Sequence, residues 1–535
     1  MKRHEGRHPH VDCVVIGSGI AGALVAKILS KSGLNVHILE AGGIIERQQA
    51  VAQYKNAWDR NLSSPFPIWP KADYPRDEAP ERYYGKLKSP AYAPSFLKGV
   101  GGTTWHWTGI APRFLPSDFV LQSKYGVGVD WPITYREIEP YYVKAERALG
   151  VSGNSLNDHG SPRSAAYPMP AIPLPYSDQL VAERLSKHGI EVDALPAARN
   201  SRHYAGRPAC CGYGTCTPIC PIGASYSADV DIKRAQRYGA KLTENAVVYR
   251  FDLNDRSEIS RAYFKRPDGS SHHISADYFV IACNSIETPR LMLLAAQERC
   301  ADGLGNRSGM VGRNLMDHVL FACNYQLDTP LYMGRGPVSV STLLTGRNGD
   351  FRQRYAAAKL FLGNDRNVAK EAIALLGDAT NWSEIEQRIR HKLTHKGMIG
   401  GEIEQLPIPS NRLTLDTSRL DKHGLPLPDI QLSLNDYTQK AVEHWQAFTH
   451  DLIRKIGGVA TDASINISSH HPCGTTCMGT HHKTSVVDAQ CKTHDHDNLY
   501  IAGSSVFPTI GTANPTLTIA ALALRMAEHL IKRIN

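Results

Sequence analysis

Nowhere does this 535-residue chain hold an apolar run of the roughly 18 residues that cross a bilayer, so no membrane anchor is expected within it. A secretory signal is missing as well: the first ten residues are basic and polar, and the apolar run after them belongs to a strand. There is no dense block of Lys and Arg. The net charge of +9 comes from 60 basic against 51 acidic residues spread along the chain, which excludes nucleic acid as a partner and leaves open a weak attraction to anionic lipid or an acidic protein. No CxxCH motif occurs, so the chain attaches no c-type haem. Internal repeats and low-complexity tails are absent too. The cysteines number 11, an odd count, and four of them fall within eleven positions; this speaks against a disulfide framework and for a metal or cluster site. What remains, 42% hydrophobic and 21% charged, is ordinary for a soluble globular enzyme, and the length calls for two or three domains.

The chain is organised around residues 11–42. Val11–Ile16 is a short β-branched run of the kind that forms a buried parallel strand. It leads into Gly17-Ser-Gly19-Ile-Ala-Gly22 and a helical segment, Ile20–Ser32; a second strand, Asn35–Leu39, ends at Glu40, eighteen residues after Gly22. Gly17 permits the tight turn, Gly19 lets a pyrophosphate approach the backbone, and Gly22 lets helix and strand pack closely. The helix N-terminus offers N–H groups to phosphate, and Glu40 can accept ribose hydroxyls. Together these parts predict dinucleotide binding, without deciding between FAD and NAD.

Further along, about residues 55–97 are rich in Pro, Tyr and Trp with little periodicity, as expected of a cover over a cofactor or partner. A second Gly-rich turn follows, Lys98-Gly-Val-Gly101-Gly102-Thr103-Thr-Trp105-His106-Trp107, suited to backbone approaching a flat ring system. Tyr135–Leu149 reads as a polar helix, Ala240–Phe251 and Ala276–Ala282 as strands, and Cys283–Leu294 as a loop entering a helix. In residues 320–465, alternating segments such as Asn411–Asp416 and Asp429–Leu434 predict an antiparallel sheet, with a polar helix near Trp382–Thr394. The last block holds His470-His471-Pro-Cys473-Gly-Thr-Thr-Cys477-Met-Gly, Asn498–Gly503, Gly511-Thr-Ala-Asn514-Pro515-Thr516 and an apolar helix, Leu517–Leu530, with Pro515 in its first turn and Asn514 at or near its cap.

Five ordered motifs, the N-terminal fingerprint, GVGGTTWHW, HPCGTTCMG, NLYIAGSSVFP and the GTANPT helix, resemble those of the glucose–methanol–choline (GMC) flavoprotein oxidoreductases across nearly the whole chain. The resemblance implies an α/β fold of the p-hydroxybenzoate-hydroxylase-like type: a Rossmann-like FAD-binding domain with a substrate domain built on an antiparallel sheet. It divides the chain into a first FAD-binding part (1–114), a cap segment (115–199), a second FAD-binding part (200–319), the substrate domain (320–464) and a last FAD-binding part (465–535). Cofactor contacts implied are Gly17, Gly19, Gly22, Glu40, Gly101, Gly102, Thr103, His106, Trp107, Val247, Gly503 and Thr516. His106 stands where some relatives bond the flavin covalently, a polar contact being the alternative. The resemblance places the catalytic base at His471 and its hydrogen-bonding partner at Asn514, with the neutral imidazole as the active form. His470 reads as a surface residue, and Cys473 and Cys477 as packing residues, Cys473 within reach of the pocket. The N-terminus of the last helix would favour negative charge on a reduced flavin.

The stretch Cys210-Cys211-Gly-Tyr-Gly-Thr-Cys216-Thr-Pro-Ile-Cys220-Pro221 is unusual in that family. With its NSRxYxGRPxCC context, it is similar to the large subunits of bacterial sugar and polyol dehydrogenases, typified by FAD-dependent glucose and fructose dehydrogenases. That likeness implies a [3Fe–4S] cluster on Cys210, Cys216 and Cys220, with Cys211 spare; a structural zinc site is the alternative. It further implies a sugar, polyol or sugar-acid substrate, a separate multihaem cytochrome c subunit as electron acceptor, and a small chaperone-like subunit. Export with that subunit would place the protein at the periplasmic side of the inner membrane, associated with it through partners; without such a subunit a cytoplasmic address is expected. Competing expectations are an oxygen-using GMC oxidase and a GMC-fold lyase with structural FAD.

Overall fold

The computed structural model describes residues 10–57, 64–66, 92, 94–364, 373 and 382–535. Most of the Pro-, Tyr- and Trp-rich stretch read as a cover lies outside the described residues.

The fingerprint builds the centre of the larger sheet. His10–Ile16 pairs in parallel with Val36–Leu39 on one side and with Ser271–Ile281 on the other. Val36–Leu39 pairs in parallel with Lys241–Thr243 at the edge. The long strand Ser271–Ile281 serves two neighbours on its far side. Its first half pairs antiparallel with Ile259–Lys265, and its last residues pair in parallel with Leu499–Ile501, so the C-terminal block enters the same sheet. Val14, Val15, Ile38, Phe279 and Val280 are fully buried, as central strands covered on both faces require. The helices Ile20–Lys31, Tyr135–Leu149 and Thr516–Ile534 pack together, with the last in contact with both others.

The second sheet is antiparallel, in the order Ala358–Gly363, Lys396–Ile403, Val319–Gln326, Val459–Ile467. Val319–Gln326 alternates strictly, with Val319, Phe321, Cys323 and Tyr325 buried, and the helix Asp436–Lys455 packs against this sheet. The architecture is that of a Rossmann-like domain joined to an antiparallel substrate sheet, as the sequence motifs imply.

Three local expectations are corrected. Ala240–Phe251 is two strands, Lys241–Thr243 and Val247–Leu253, divided by a turn at Asn245 (φ +52°) whose N–H donates to the Gly42 carbonyl at 2.9 Å. The alternating segments near 411 and 429 do not join the substrate sheet. They form a separate two-stranded ribbon, Arg412–Leu420 with Pro426–Gln431, because Pro426 and Pro428 lack the N–H groups a central strand must donate. The last helix runs Thr516–Ile534 with Pro515 at the cap position and no side-chain cap; the Asn514 side chain is engaged elsewhere.

The glycines of the fingerprint divide their work. A Cβ at Gly22 would overlap the Gly17 carbonyl oxygen and approach the Ala282 side chain to 3.2 Å, whereas a Cβ at Gly19 meets nothing within 4 Å. Gly22→Ala should therefore destabilise the fold itself by about 1–3 kcal/mol, the usual cost of overpacking, seen as a lowered Tm of flavin-free protein. Gly19→Ala should leave that Tm unchanged and weaken dinucleotide binding at least about tenfold, because its methyl group enters the phosphate approach. Equal effects of the two substitutions on apoprotein stability would refute this division.

Candidate active site

Two loops from different parts of the chain are laced together to make the site. Residues 314–318 precede the substrate-sheet strand Val319–Gln326, and residues 468–479 follow the edge strand Val459–Ile467. Met316 and Cys473 exchange backbone hydrogen bonds of 3.0 and 2.9 Å, and the Ser468 N–H donates to the His318 carbonyl at 2.8 Å. Gly474, Thr476 and Met478 donate in turn to the carbonyls of Ser504, Ser505 and Val506, fixing the loop to the segment after Leu499–Ile501. The buried Asp317 carboxylate receives the Tyr92 hydroxyl at 2.6 Å, the His318 N–H at 2.7 Å and the His471 N–H at 3.2 Å. Burial pushes this carboxyl up to about 7 even against those donors.

Side-chain partners then determine the tautomers. His318 Nε2 lies 2.9 Å from the Gly511 carbonyl, which can only accept, so the proton is on Nε2 and Nδ1 is an acceptor. His471 Nδ1 stands 3.0 Å from His318 Nδ1 and must therefore carry a proton. That leaves His471 Nε2 unprotonated, accepting from Asn514 Nδ2 at 3.1 Å. The Asn514 amide is oriented in the same way: the Lys359 ammonium donates to Oδ1, so the NH₂ group faces His471. The arrangement is a base and an adjacent N–H donor aimed at one point, which is what removing a hydroxyl proton and holding the oxygen require.

Lys359 and Glu402 are cross-strand partners in the substrate sheet. Their Nζ and Oε2 atoms lie 2.7 Å apart, both side chains being almost fully buried. Burial alone would raise the Glu402 carboxyl, but Lys359, followed by His471 and His318, outweighs it and holds the group at about 2. His471 is pushed well below the usual imidazole value, first by burial, with His318, His470 and Lys359 adding to the effect and Glu402 opposing it.

Of the cofactor residues implied by sequence, those of the two glycine turns and Glu40 lie together. A Cβ at Gly102 would come within 3.0 Å of the Gly19 Cα, so the two glycine turns lie one on the other. The Gly101 N–H reaches Ser18 Oγ at 3.3 Å, and that hydroxyl donates to Glu40 at 2.6 Å. Glu40 also receives the N–H groups of Ser18 and Gly42, both at 2.9 Å, and burial pushes its carboxyl up. Ala246 N–H donates to the Glu40 carbonyl, which sets Val247 beside it. Helix Ile20–Lys31 starts with no side-chain cap, leaving its N–H groups for an anion. Open space over Gly19, the uncapped helix start and Glu40 together fit the diphosphate and ribose of FAD.

His106 is buried and held down to about 4 by burial, with His470 adding to the effect, which sets the second glycine block beside the 470–471 loop. Thr103 Oγ1 accepts from the Leu97 N–H at 3.3 Å, and Trp107 Nε1 donates to the Tyr226 carbonyl at 2.7 Å. Gly503 (φ +153°) packs against the Cys283 carbonyl, and Thr516 opens the last helix. Cys473, fully buried, turns its thiol to the His471 carbonyl at 3.2 Å.

Cys210, Cys211, Cys216 and Cys220 line a single cavity with Pro221, Pro337 and Val338. Cys216 is buried, Cys210 and Cys220 half-buried, and Cys211 exposed. The guanidinium of buried Arg199 lies 3.4 Å from Cys216 Sγ. Among the described residues, the one trio of candidate ligand atoms mutually within 4.8 Å is His318, Glu402 and His471, so the sulfurs stand further apart than one metal ion needs.

Sequence reasoning did not identify Asp317, His318, Lys359, Glu402 or Tyr92. The segment Asn314–His318 stood out only as a block end. A lysine in AAAKLFLG and a glutamate in MIGGEIEQ, each inside an apolar strand, were the available signals for the ion pair.

A family model described as GMC oxidoreductase matches residues 407–523. The chain is 38% identical to the fructose dehydrogenase large subunit of Gluconobacter japonicus, with 98% of each covered. It is 26% identical to 2-methyl-1,2-propanediol dehydrogenase of Mycolicibacterium austroafricanum, covering 98% of this chain and 96% of that one. Pyridoxine 4-oxidase from Mesorbium loti is a structural neighbour with a TM-score of 0.64 at 17% identity, covering 98% of this chain and 99% of that one.

If His471 Nε2 is the working base, kcat/KM must fall as the imidazole gains a proton, and the midpoint must lie below the ordinary 6.5 because the folded environment disfavours the charge. Glu402→Gln removes the neighbour that favours the imidazolium, so it should move the acid limb further down. A limb at or above 6.5, or an upward move in the variant, contradicts the assignment. His471→Ala should slow flavin reduction by about 10²–10⁴-fold with FAD still bound.

Proposed function

We propose, for a chain that belongs to the GMC oxidoreductases, that it oxidises a hydroxyl of a sugar or polyol and passes the electrons to a partner subunit. The family assignment makes it an FAD-dependent enzyme acting on CH–OH donors; the substrate class and the electron route are the proposal. The observation that carries the chemistry is the ordered chain Gly511 carbonyl, His318, His471, Asn514, which leaves one unprotonated nitrogen next to one amide donor.

Bound FAD supplies the acceptor for the hydride that leaves the carbinol carbon. The rest falls to the chain. His471 Nε2 takes the hydroxyl proton while the Asn514 N–H holds the same oxygen as its charge develops. Lys359 keeps the amide in the orientation that presents that N–H. His318 keeps the His471 Nδ1 proton in place, so the proton taken from substrate has only Nε2 to go to. Ionised Glu402 then stabilises the imidazolium that results. Loss of a proton and a hydride converts the alcohol to the carbonyl product.

A sugar or polyol substrate is supported by the relatives, one named for fructose and another for a propanediol. That the first is a large subunit supports a partner, for which a cytochrome c subunit at the periplasmic face is the proposed identity. For the route outward, the proposal is a [3Fe–4S] cluster on Cys210, Cys216 and Cys220, supported by the one cavity they share and by buried Arg199 beside Cys216. A cluster there would supply one-electron transfer.

Anaerobic addition of sugars and polyols, with iron and acid-labile sulfide assayed alongside, tests both halves. The expected outcome is flavin bleaching by a sugar or polyol with about three irons per flavin. Cys216→Ser should keep that bleaching and lose cytochrome or dye reduction. Rapid peroxide formation by protein without iron would replace this reading with an oxidase.

A further inference from the structure

Glu402 has unspent accepting capacity in a place where that is costly. An ionised carboxylate offers about four lone-pair sites. On Oε1 the contact from Asn514 Nδ2 is long, 3.4 Å. Oε2 meets the Lys359 ammonium at 2.7 Å, the same ammonium that donates to Asn514, and has no second donor. A buried acceptor in this state requires donors, and water or a ligand hydroxyl is what can reach it.

Its position says which hydroxyl. Asn514 Nδ2 is 3.1 Å from His471 Nε2 and 3.4 Å from Glu402 Oε1, so the base and the carboxylate flank the same N–H. A ring nitrogen of His471 and a carboxylate oxygen of Glu402 lie within 4.8 Å of each other. A hydroxyl hydrogen bond spans about 2.7–2.8 Å, so two O–H groups on adjacent carbons can satisfy both acceptors at once. One hydroxyl gives its proton to His471; its neighbour donates to Glu402. Charge narrows the class further. Lys359 balances Glu402 and His471 is neutral, so this group offers no uncompensated cation to a substrate carboxylate.

We propose that Glu402 reads the hydroxyl next to the one being oxidised, and that the site therefore takes neutral substrates with vicinal hydroxyls. The inference rests on the alcohol-oxidation reading above and adds the recognition element to it. As a purely structural device the Lys359–Glu402 pair is a poor choice, since two well-packed apolar residues hold a sheet at least as well as a buried ion pair does.

The test is single-turnover anaerobic flavin reduction of the FAD-loaded protein by 1,2-propanediol, 1,3-propanediol and 1-propanol, followed over hours, with D-fructose alongside. The wild type should reduce its flavin with 1,2-propanediol at least about tenfold more efficiently than with the other two small alcohols, the value of a hydrogen bond to a charged group. Glu402→Gln should bring that ratio close to one, whereas Glu402→Asp should retain part of it; flavin content and visible spectrum establish that both variants are folded. A wild type indifferent to the neighbouring hydroxyl overturns the proposal. So does a Glu402→Gln enzyme that slows with all three alcohols alike and keeps the ratio, or reduction by D-fructose with none of the small alcohols. Absence of reduction by any of the four brings down the alcohol-oxidation reading, and this inference with it.

Discussion

The hydrogen bond from His318 Nε2 to the carbonyl of Gly511 is the constraint on which the site depends. Turn it around, with Nε2 unprotonated, and every later partner changes: His471 would have to carry its proton on Nε2 and could no longer accept one there. The carbonyl is itself fixed. Gly511 lies so close to Asp118 that a Cβ would come within 2.8 Å of the carboxylate, and the glycine takes φ +56° to make that approach. Asp118 in turn is held by Arg352 at 2.8 Å and by the Leu115 N–H at 2.8 Å. A proton on one ring nitrogen is thus determined by packing several residues away.

Arg352 ties this arrangement to the substrate sheet. Its guanidinium bridges Asp118 and Glu404, all three fully buried or nearly so, and Glu404 directly follows the strand that carries Glu402. Buried ion pairs of this kind add little net stability over apolar packing, but breaking one by removing a single partner is costly, so each resists displacement. The two networks, Arg352–Asp118–Glu404 and Lys359–Glu402–Asn514, join the substrate sheet to the loop before the last helix. That coupling keeps the His471 imidazole from one part of the chain and the Asn514 amide from another within hydrogen-bond distance.

Legibility in the sequence followed the range of the interactions. The strand, glycine turn and helix at the N-terminus were readable because all their determinants lie within about thirty residues; Tyr135–Leu149 was readable as a polar helix, and the structure adds the Thr134–Glu137 capping box that starts it. His471 and Asn514 were legible as motif positions. Their partners were not, because His318, Lys359 and Glu402 owe their roles to strand register and to contacts more than a hundred positions distant. The Arg412–Leu420 ribbon was legible as antiparallel but not as separate from the larger sheet, because alternation predicts a strand and says nothing of its neighbour.

The same reasoning bears on the cysteine loop, where the balance of charge is informative. Three guanidinium groups surround it. Arg199 faces Cys216, Arg47 donates to the Cys220 carbonyl at 2.7 Å, and Arg207 donates to the Ala224 carbonyl at 2.9 Å. Burial holds Arg47 below the usual arginine range and Arg207 at about 10, so neither is fully compensated by its neighbours. The nearby acids are shared: Asp231 pairs with Lys27 and Arg234 and offsets part of the charge on Arg207, and Asp229 pairs with Lys233 and offsets part of that on Arg47. Protonated thiols would leave this positive charge standing in a poorly solvated place. Arg47, stacked on Trp105 at 4.6 Å, links the cysteine loop to the second glycine turn.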